Sequence, residues 1–364
     1  MRVLNIGSDK SLFNPTADLA KRQARLGQIF EELHIIVFSK KIYSELKLAE
    51  NVYAHPTNSL SKLFYYWDAY KLAKSILRTC EVDNWVVTVQ DPYNAGPLGW
   101  FLKKTFKIPL QVQVHTDIFS PYFWQESLVN KLRVTIAQWL LPRADQVRVV
   151  SQRIKNSLID RSKINPKKIV VLPVYVDVEK YRQAIPQIDL HKKYPDFDFI
   201  ILMASRFSPE KNIPLAVRVF KKVAAAFPHA LLLIRGRGPE EKGLKALAAY
   251  CPNIKFEPWQ DEASSSYKTA DLFLLTSNYE GFGMTVIEAS ASGVPVVMTD
   301  VGNTNGMVVP VNDESALQEA ILSLMTDSRK RQDLIVAGYE TVAKFPNAQQ
   351  YVAQVKSMFK QLEI

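Results

Sequence analysis

The stretch Ala270–Val301, ADLFLLTSNYEGFGMTVIEASASGVPVVMTDV, constrains the fold more than any other. Asp271–Thr276 is an apolar run of strand length, and Ser277–Gly283 is polar and glycine-bearing. Met284–Ser292 has helical spacing and stops at Gly293, and Val294–Thr299 is a second apolar run with Pro295 near its start. The order strand, loop, helix, strand predicts a parallel βαβ unit. Two carboxylates bracket its loop and helix. Glu280 lies at the mouth of the unit, and Glu288 lies about one turn inside a helix that is otherwise apolar. A carboxylate there needs a polar partner. A solvated or locally paired Glu280 and Glu288 fit the stretch alone better than a functional pair does.

The same alternation runs through the chain. Strands are predicted at 3–6, 33–38, 85–89, 110–114, 146–150 and 169–172, with helices at 17–29, 61–79, 95–106, 127–141 and 152–160 between them. Ser151 suits the N-cap of the last of these helices. The aromatic residues of 64–70 follow helical periodicity and are expected in the core. Pro173–Pro186 is bounded by prolines without strong periodicity and reads as an interdomain connection. The pattern then restarts, with strands at 198–204, 230–235, 253–257, 271–275 and 294–299. Helices are expected at 212–227, 239–250, 262–268, 284–292, 313–326, 329–343 and 347–362. The expectation is an α/β protein of two doubly wound, Rossmann-like domains, 1–175 and 188–345, facing a central cleft. A length of 364 residues suits two such domains.

Several function classes are disfavoured. No run approaches the roughly 18 apolar residues of a membrane span. The first residues form a strand soon broken by Asp9 and Lys10, unlike a signal peptide. Cys80 and Cys251 stand far apart and read as buried free thiols of a reducing, cytoplasmic compartment. The five histidines show no metal-ligand spacing, so no metal site is expected. Charge is more telling. Residues 1–180 hold 26 Lys and Arg against 16 Asp and Glu, whereas 181–364 hold 20 of each. The excess therefore belongs to the first half, and an anionic partner of that half is expected. A membrane surface, a phospholipid-linked acceptor or an acidic glycan fits. No helix-turn-helix, zinc-finger or RNP pattern supports nucleic acid.

Four loops at predicted strand ends carry the unusual residues. The first-half strand 110–114 ends in His115, with Asp117 beyond it. In the second half, Ser205–Asn212 (SRFSPEKN), Gly236–Pro239 (GRGP) and Glu280–Gly283 (EGFG) follow strands. Arg206 and Lys211 flank a proline turn before a helix, where cations oppose the helix dipole and an anionic ligand explains them better. Gly281 and Gly283 let backbone amides approach a phosphate. Two such devices together suggest a diphosphate. There is no GxxxxGK[ST] motif, and Gly236 with Gly238 makes only a partial GxGxxG. Gly236 and Gly238 also fit a tight turn, His115 a satisfied core histidine, and Asp117 a local cap.

Taken in this order and spacing, SRFxPEKN, GxGP and Sx3EGFGx4EAx3GxPV resemble the retaining glycosyltransferases of family 4, glycosyl transferases group 1, over essentially the whole chain. Ala144, Asp145 and Ser151 also look like that family. The resemblance implies the GT-B fold, with the final helix (347–364) crossing back to an acceptor-binding first domain and a nucleotide-sugar donor on the second. It implies that Arg206 and Lys211 hold the diphosphate without a metal or cofactor and stabilise the departing charge. Glu288 would bind the ribose and Glu280 the donor sugar. Gly236, Gly281, Phe282, Gly283, Met284 and Thr285 would line the donor, and His115 would contact the sugar near the reacting carbon. The implied activity is hexosyl transfer, from GDP-mannose or a UDP-sugar, of mannose, glucose or N-acetylglucosamine. The acceptor would be a lipid-linked or glycan molecule, as in cell-envelope polysaccharide synthesis, with the enzyme peripheral on the inner face of the membrane. A non-hydrolysing nucleotide-sugar epimerase is the alternative on the same fold, but His115 is the lone acid–base candidate. A non-catalytic basic binding protein is the alternative of another class. Two departures stand out. Gly7 is the single glycine of the loop after the first strand, where many members have a pair. The segment 300–306 is also shorter than in relatives.

Overall fold

A computed structural model describes residues 1–40, 42–78, 84–259, 263–302 and 306–362. The chain divides into two compact units, Met1–Pro173 with Ala348–Ile364, and Val174–Asn347.

In the first unit, β1 (Arg2–Gly7) is followed by α1 (Asp18–Leu26), β2 (Glu32–Val37), β3 (Leu46–Ala49), β4 (Val52–Pro56), α2 (Tyr65–Leu77) and β5 (Trp85–Val89). Then come α3 (Gly96–Phe106), β6 (Leu110–Val114), α4 (Pro121–Glu126), α5 (Leu128–Leu140), β7 (Gln146–Val149), α6 (Gln152–Arg161) and β8 (Ile169–Val171). The strand order is β3-β4-β2-β1-β5-β6-β7-β8, parallel except where β3 runs antiparallel to β4. Central strands β5 and β6 are buried along their whole length, as helix-covered parallel strands should be. The predicted elements of this half are present within a few residues. Ser151 Oγ accepts from the Ile154 amide as the expected cap. The β3–β4 ribbon and α4 are additions. β3 is short, half exposed and at the sheet edge, so it lacks the continuous apolar run that marks its neighbours. The aromatics of 64–70 depart from expectation, because Phe64, Tyr66 and Trp67 are exposed. The buried stripe of α2 is instead Ala69, Ala73, Ile76 and Leu77, and small alanines let the helix lie close to the sheet.

In the second unit, α7 (Val178–Gln183) and α8 (Leu190–Lys193) precede β9 (Phe199–Ala204), α9 (Ile213–Ala226), β10 (Ala230–Arg235) and α10 (Glu241–Leu247). β11 (Ile254–Glu257), α11 (Ser264–Thr269), β12 (Leu272–Leu275), α12 (Met284–Ala291), β13 (Val296–Thr299) and β14 (Met307–Val309) complete the sheet. α13 (Glu314–Thr326) and α14 (Ser328–Val342) follow. All pairings are parallel in the order β11-β10-β9-β12-β13-β14. Ile201, Phe220 and Ile321 belong to one apolar cluster; Leu202, Phe273 and Val286 belong to another. The segment read as a connection is structured. Asp177 accepts from the Lys180 amide to start α7, and Val176 packs with Ile287, Ala291 and Val342. Too few residues repeat in so short a helix for periodicity to show. Cys251 is a half-buried free thiol. Cys80 and residues 303–305 of the short segment lie outside the described residues.

The last helix, α15 (Ala348–Lys360), belongs to the first unit. Its Tyr351, Val355, Met358 and Phe359 recur at helical spacing and are buried, with Phe359 edge-on to Phe30 at 5.0 Å.

At the β2–β4 edge, His34 Nδ1 and His55 Nε2 lie 3.0 Å apart, and His55 Nδ1 lies 2.9 Å from Glu45. Burial, and then the charge of His55, hold the His34 pKa below its ordinary 6.5. The unfolded chain takes up this proton at higher pH than the folded chain does. The contribution to stability is therefore full above about 6.5 and is lost as pH falls below it. His34→Phe should flatten the fall of Tm below that pH, followed by circular dichroism. Parallel curves for the two proteins would reject the assignment.

Candidate functional site

The second sheet reverses direction between β9 and β12, since β10 and β11 lie to one side of β9 and β13 and β14 to the far side of β12. Loops leaving neighbouring strands at such a switch point part company and leave a crevice beyond the strand ends. The β9 loop carries Arg206 and Lys211, and the β12 loop carries Glu280.

The two loops are fastened together. Lys211 Nζ donates to Glu280 Oε1 at 2.6 Å, and Ser277 Oγ donates to the same oxygen at 2.7 Å. Behind this pair, the Asn278 amide donates to the Glu210 carbonyl at 2.8 Å. Asn212 Nδ2 donates to Asn278 Oδ1, and Thr276 Oγ1 lies 3.0 Å from both the Lys211 and Asn212 carbonyls. Asn212 has φ 44°, a left-handed conformation that asparagine tolerates and that turns the chain from the Pro209–Lys211 turn into α9. A lysine ammonium has three donors, so two remain for an anion after Glu280 takes one. Glu280 Oε2 has no partner among the described residues and can accept from a hydroxyl. Arg206 is exposed and forms no ion pair among the described residues.

α12 begins at the end of the same loop. Gly283 holds φ 70° at its N-cap, and the helix has no side-chain cap and no acid in its first turn. The amides of Met284 and Thr285 meet no backbone acceptor among the described residues. They face outward with the partial positive charge of the helix start. Gly281 and Phe282 lead into this turn. The Phe282 ring packs edge-on to Phe345 at 5.8 Å, leaving backbone rather than side chain for a ligand. Glu288, a turn further on, does meet a polar partner. Tyr267 Oη donates to Glu288 Oε2 at 3.1 Å. Burial, and then the Glu288 charge, push the Tyr267 pKa well above 10, so the phenol keeps its proton and acts as donor.

Gly236 and Gly238 have a packing explanation. A Cβ on Gly236 would stand 1.9 Å from the Ser205 carbonyl oxygen, and one on Gly238 would stand 2.2 Å from that of Phe207. The Gly236 amide is already committed to the Glu257 carbonyl at 3.0 Å. These glycines let the β10 loop lie directly on the β9 loop. A feature absent from the sequence reading sits beside them. Arg235 and Glu257 are register partners on β10 and β11, with Arg235 Nε donating to Glu257 Oε2 at 2.8 Å. Burial pushes the Glu257 pKa up, but Lys193, Tyr194 and Arg235 outweigh it and hold it below the ordinary carboxylate value. The opposite charges ending ALLLIR and IKFE were the available signal. Arg235, Trp259, Ser266 and Tyr267 line a shallow open depression with Leu202, Ala204 and Ala263.

In the first unit, His115 Nε2 lies 3.1 Å from Gln113 Oε1, an oxygen that also accepts from Arg148 Nη1 at 3.0 Å. That shared acceptor assigns the imidazole proton to Nε2 and leaves Nδ1 bare. Burial, then the charges of Arg148 and Arg22, lower the His115 pKa to about 3, so the ring is neutral at ordinary pH. Asp117 is locally paired, accepting from Ser157 Oγ at 2.8 Å. Gln113 continues inward through Thr88, Gln111 and Gln146 to the Met358 carbonyl of α15. Arg148 also donates to the Leu172 and Pro173 carbonyls and to Tyr351 Oη. No three His, Cys, Asp or Glu side chains gather as a metal site would need among the described residues.

The family described as Glycosyl transferases group 1 matches residues 187–341, and Glycosyltransferase Family 4 matches residues 16–180. The chain belongs to the family 4, group 1 glycosyltransferases. The Escherichia coli UDP-Gal:alpha-D-GlcNAc-diphosphoundecaprenol alpha-1,3-galactosyltransferase is 26% identical over 204 residues, 50% of this chain and 53% of that protein. A phosphatidyl-myo-inositol mannosyltransferase of Mycobacterium leprae is 28% identical over 188 residues, 48% of this chain and 49% of that protein. The matched stretch thus spans about half the length of these two relatives. The sucrose-phosphate synthase structure from Thermosynechococcus elongatus superposes with a TM-score of 0.83 at 20% identity, covering 100% of this chain and 99% of that one. With the two largely parallel sheets, this establishes the two-domain GT-B fold of the family.

Because the β9 and β10 loops touch at backbone level, Gly236→Ala should cost about 1–3 kcal/mol by overpacking. It should also displace the Arg206 loop. Chemical denaturation measures the first effect, and an unchanged midpoint would show that the loops can separate without cost.

Proposed function

We propose that this protein is a glycosyltransferase that moves a hexosyl residue from a nucleoside-diphosphate sugar to a lipid-linked or glycan acceptor, with retention of anomeric configuration. The observation that carries this reading is the Lys211–Glu280 pair across the switch point, beside the uncapped start of α12. Arg206, the two remaining Lys211 donors and the Met284 and Thr285 amides would take the diphosphate. Their positive charge would stabilise the phosphate as it leaves, the role a metal plays in other transferases. Glu280 Oε2 would accept from a hydroxyl of the donor sugar, and Glu288, held by Tyr267, from the ribose. His115, on the first unit, is assigned the sugar contact that the family resemblance implies, as a neutral imidazole. Retention is read as attack on the same face from which the phosphate departs, with that phosphate taking the acceptor's proton. No second carboxylate acts as base.

The acceptor is read as one bearing negative charge. Arg22 and Arg148 lie near enough to His115 to depress its pKa. The hydrogen bonds of Arg148 run to neutral groups, and Arg22 forms no ion pair among the described residues. The names of the Escherichia coli and Mycobacterium leprae relatives place phosphate-bearing lipids among the molecules those proteins act on. The donor is GDP-mannose or a UDP-sugar, and the enzyme would work at the inner face of the cell membrane.

A thermal-shift screen of UDP and GDP identifies the base, since a ligand at about 100 times its Kd stabilises by about 2.7 kcal/mol. Lys211→Ala and Glu280→Ala should each lower transfer and donor hydrolysis by about 10²-fold or more, and EDTA should leave the rate unchanged. Full activity in both variants would reject the site. The pH profile should show no ionisation of His115 near neutrality, because its pKa is about 3. A titration that His115→Gln removes would contradict the neutral ring.

A further inference from the structure

The exposed aromatics of α2 belong to a larger surface. Trp67, with 58% of its area exposed, stands on the side of α2 opposite its buried stripe, and Leu63, 88% exposed, lies in the short helical turn Lys62–Phe64 that leads into α2. α5 repeats the arrangement. Its buried residues are Asn130, Val134, Ala137 and Leu140, whereas Leu128 (79% exposed), Leu132 (60%) and Trp139 follow helical spacing on the opposite side. Two apolar stripes on one helix leave one of them without a partner. α3 lies between these helices, joined to α2 by Tyr70 and Phe101 at 5.3 Å and to α5 by Trp100 and Trp139 at 4.9 Å. The stripes therefore belong to one layer on one face of the sheet and point away from it.

The charge on this layer is equally one-sided. The stretches 60–78, 96–107 and 121–143 contain ten lysines and arginines and two acids, Asp68 and Glu126. Cations sit over the exposed indoles: Lys71 over Trp67 at 5.2 Å, Lys131 over Trp124 at 5.8 Å and Arg143 over Trp139 at 4.8 Å. Tryptophan and leucine flanked by long cationic side chains match a bilayer boundary. The rings enter the acyl edge while the ammonium and guanidinium groups stay with the phosphates. No described helix is long and apolar enough to cross a membrane, so the fit is to its surface.

We propose that α2, α3 and α5 form a docking face that inserts Leu63, Trp67, Leu128 and Leu132 into an anionic lipid surface. An acidic protein would satisfy the cations, but it would not call for exposed leucines and tryptophans along α2 and α5. This proposal does not use the donor site, so the two can fail separately.

The test is co-sedimentation with vesicles of phosphatidylcholine alone and of phosphatidylcholine mixed with phosphatidylglycerol, together with quenching of tryptophan fluorescence by brominated acyl chains. The protein should bind the anionic vesicles at least about tenfold more tightly than the neutral ones, and brominated lipid should quench its fluorescence. The triple variant Trp67→Ser, Leu128→Ser, Leu132→Ser should lose at least about tenfold in vesicle affinity and keep its Tm and its thermal shift with UDP or GDP. These residues are exposed, so retained Tm separates lost docking from lost folding. A further variant, Lys62→Gln with Lys131→Gln, should weaken binding and reduce its salt dependence. Three outcomes would overturn the proposal: equal absence of binding to both vesicles, wild-type binding by the triple variant, or binding without quenching that salt abolishes. The last would leave electrostatic adsorption alone. Capture of an acidic protein by the triple variant as well as by the wild type would point to the protein partner instead.

Discussion

The ion pair between Lys211 and Glu280 fastens together two loops of the second unit on which its candidate site depends. Its partners come from two strands that are neighbours in the sheet but are separated by about 70 residues of chain. The loops between them would otherwise diverge, because the crossovers on either side of the switch point run in opposite directions. The backbone braces from Thr276, Asn278 and Asn212 take up the polar groups behind the pair, so the ammonium and carboxylate are presented from a fixed frame. A lysine held in this way contributes its remaining donors without first losing rotamer freedom, and that lowers the cost of binding an anion. In the donor site proposed above, the pair would let a carboxylate stand beside a diphosphate. The negative charge of Glu280 is already balanced by the cation it orients.

Much of this was readable from the sequence, for a physical reason. Apolar runs of strand length and helical stripes reflect burial on both faces of a sheet, and burial is what periodicity reports. Lys211, Glu280 and Glu288 stood out because each places a charge where the pattern predicts a backbone turn or an apolar helix. What periodicity does not report is which of two helix faces meets the sheet. The aromatics of α2 were assigned to the core because they were large and regularly spaced. The contact was made by alanines, which permit a closer approach, and the rings were left outside. Gly236 shows how one residue type can answer two demands. Its motif resembled a phosphate loop, yet the absence of a side chain is required by the Ser205 carbonyl 1.9 Å from where a Cβ would lie. Edge strand β3 and the short helix α7 escaped because neither is long enough to repeat a pattern.

The first unit shows a polar counterpart. Thr88, Gln111, Gln113, Gln146 and Arg148 are buried on three adjacent strands, where apolar side chains would have sufficed for packing. In the sequence they appear as polar positions interrupting WVVTV, LQVQV and QVRV. Each buried amide or guanidinium must find partners or incur a desolvation cost. Their chain of hydrogen bonds has two ends. One end is His115, whose proton position is set by Gln113. The other is α15, where Tyr351 accepts from Arg148 and the Met358 carbonyl accepts from Gln146.

That second end gives a reason for the topology. Without α15, Gln146 would lose its acceptor at Met358 and Arg148 would lose Tyr351, both in places water reaches poorly. The apolar residues Val355, Met358 and Phe359 add hydrophobic burial, but an apolar contact could be made by many helices. The paired donors of β7 specify this one, because they require a hydroxyl and an open helix-end carbonyl at set positions. The first unit is therefore complete only when both ends of the chain have been made, and Val174–Asn347 is in effect an insertion into it. The same network that orients His115 also ties its surroundings to the last helix, so the loss of α15 should be felt first at Gln146 and Arg148 of β7 and then, through Gln113, at the histidine.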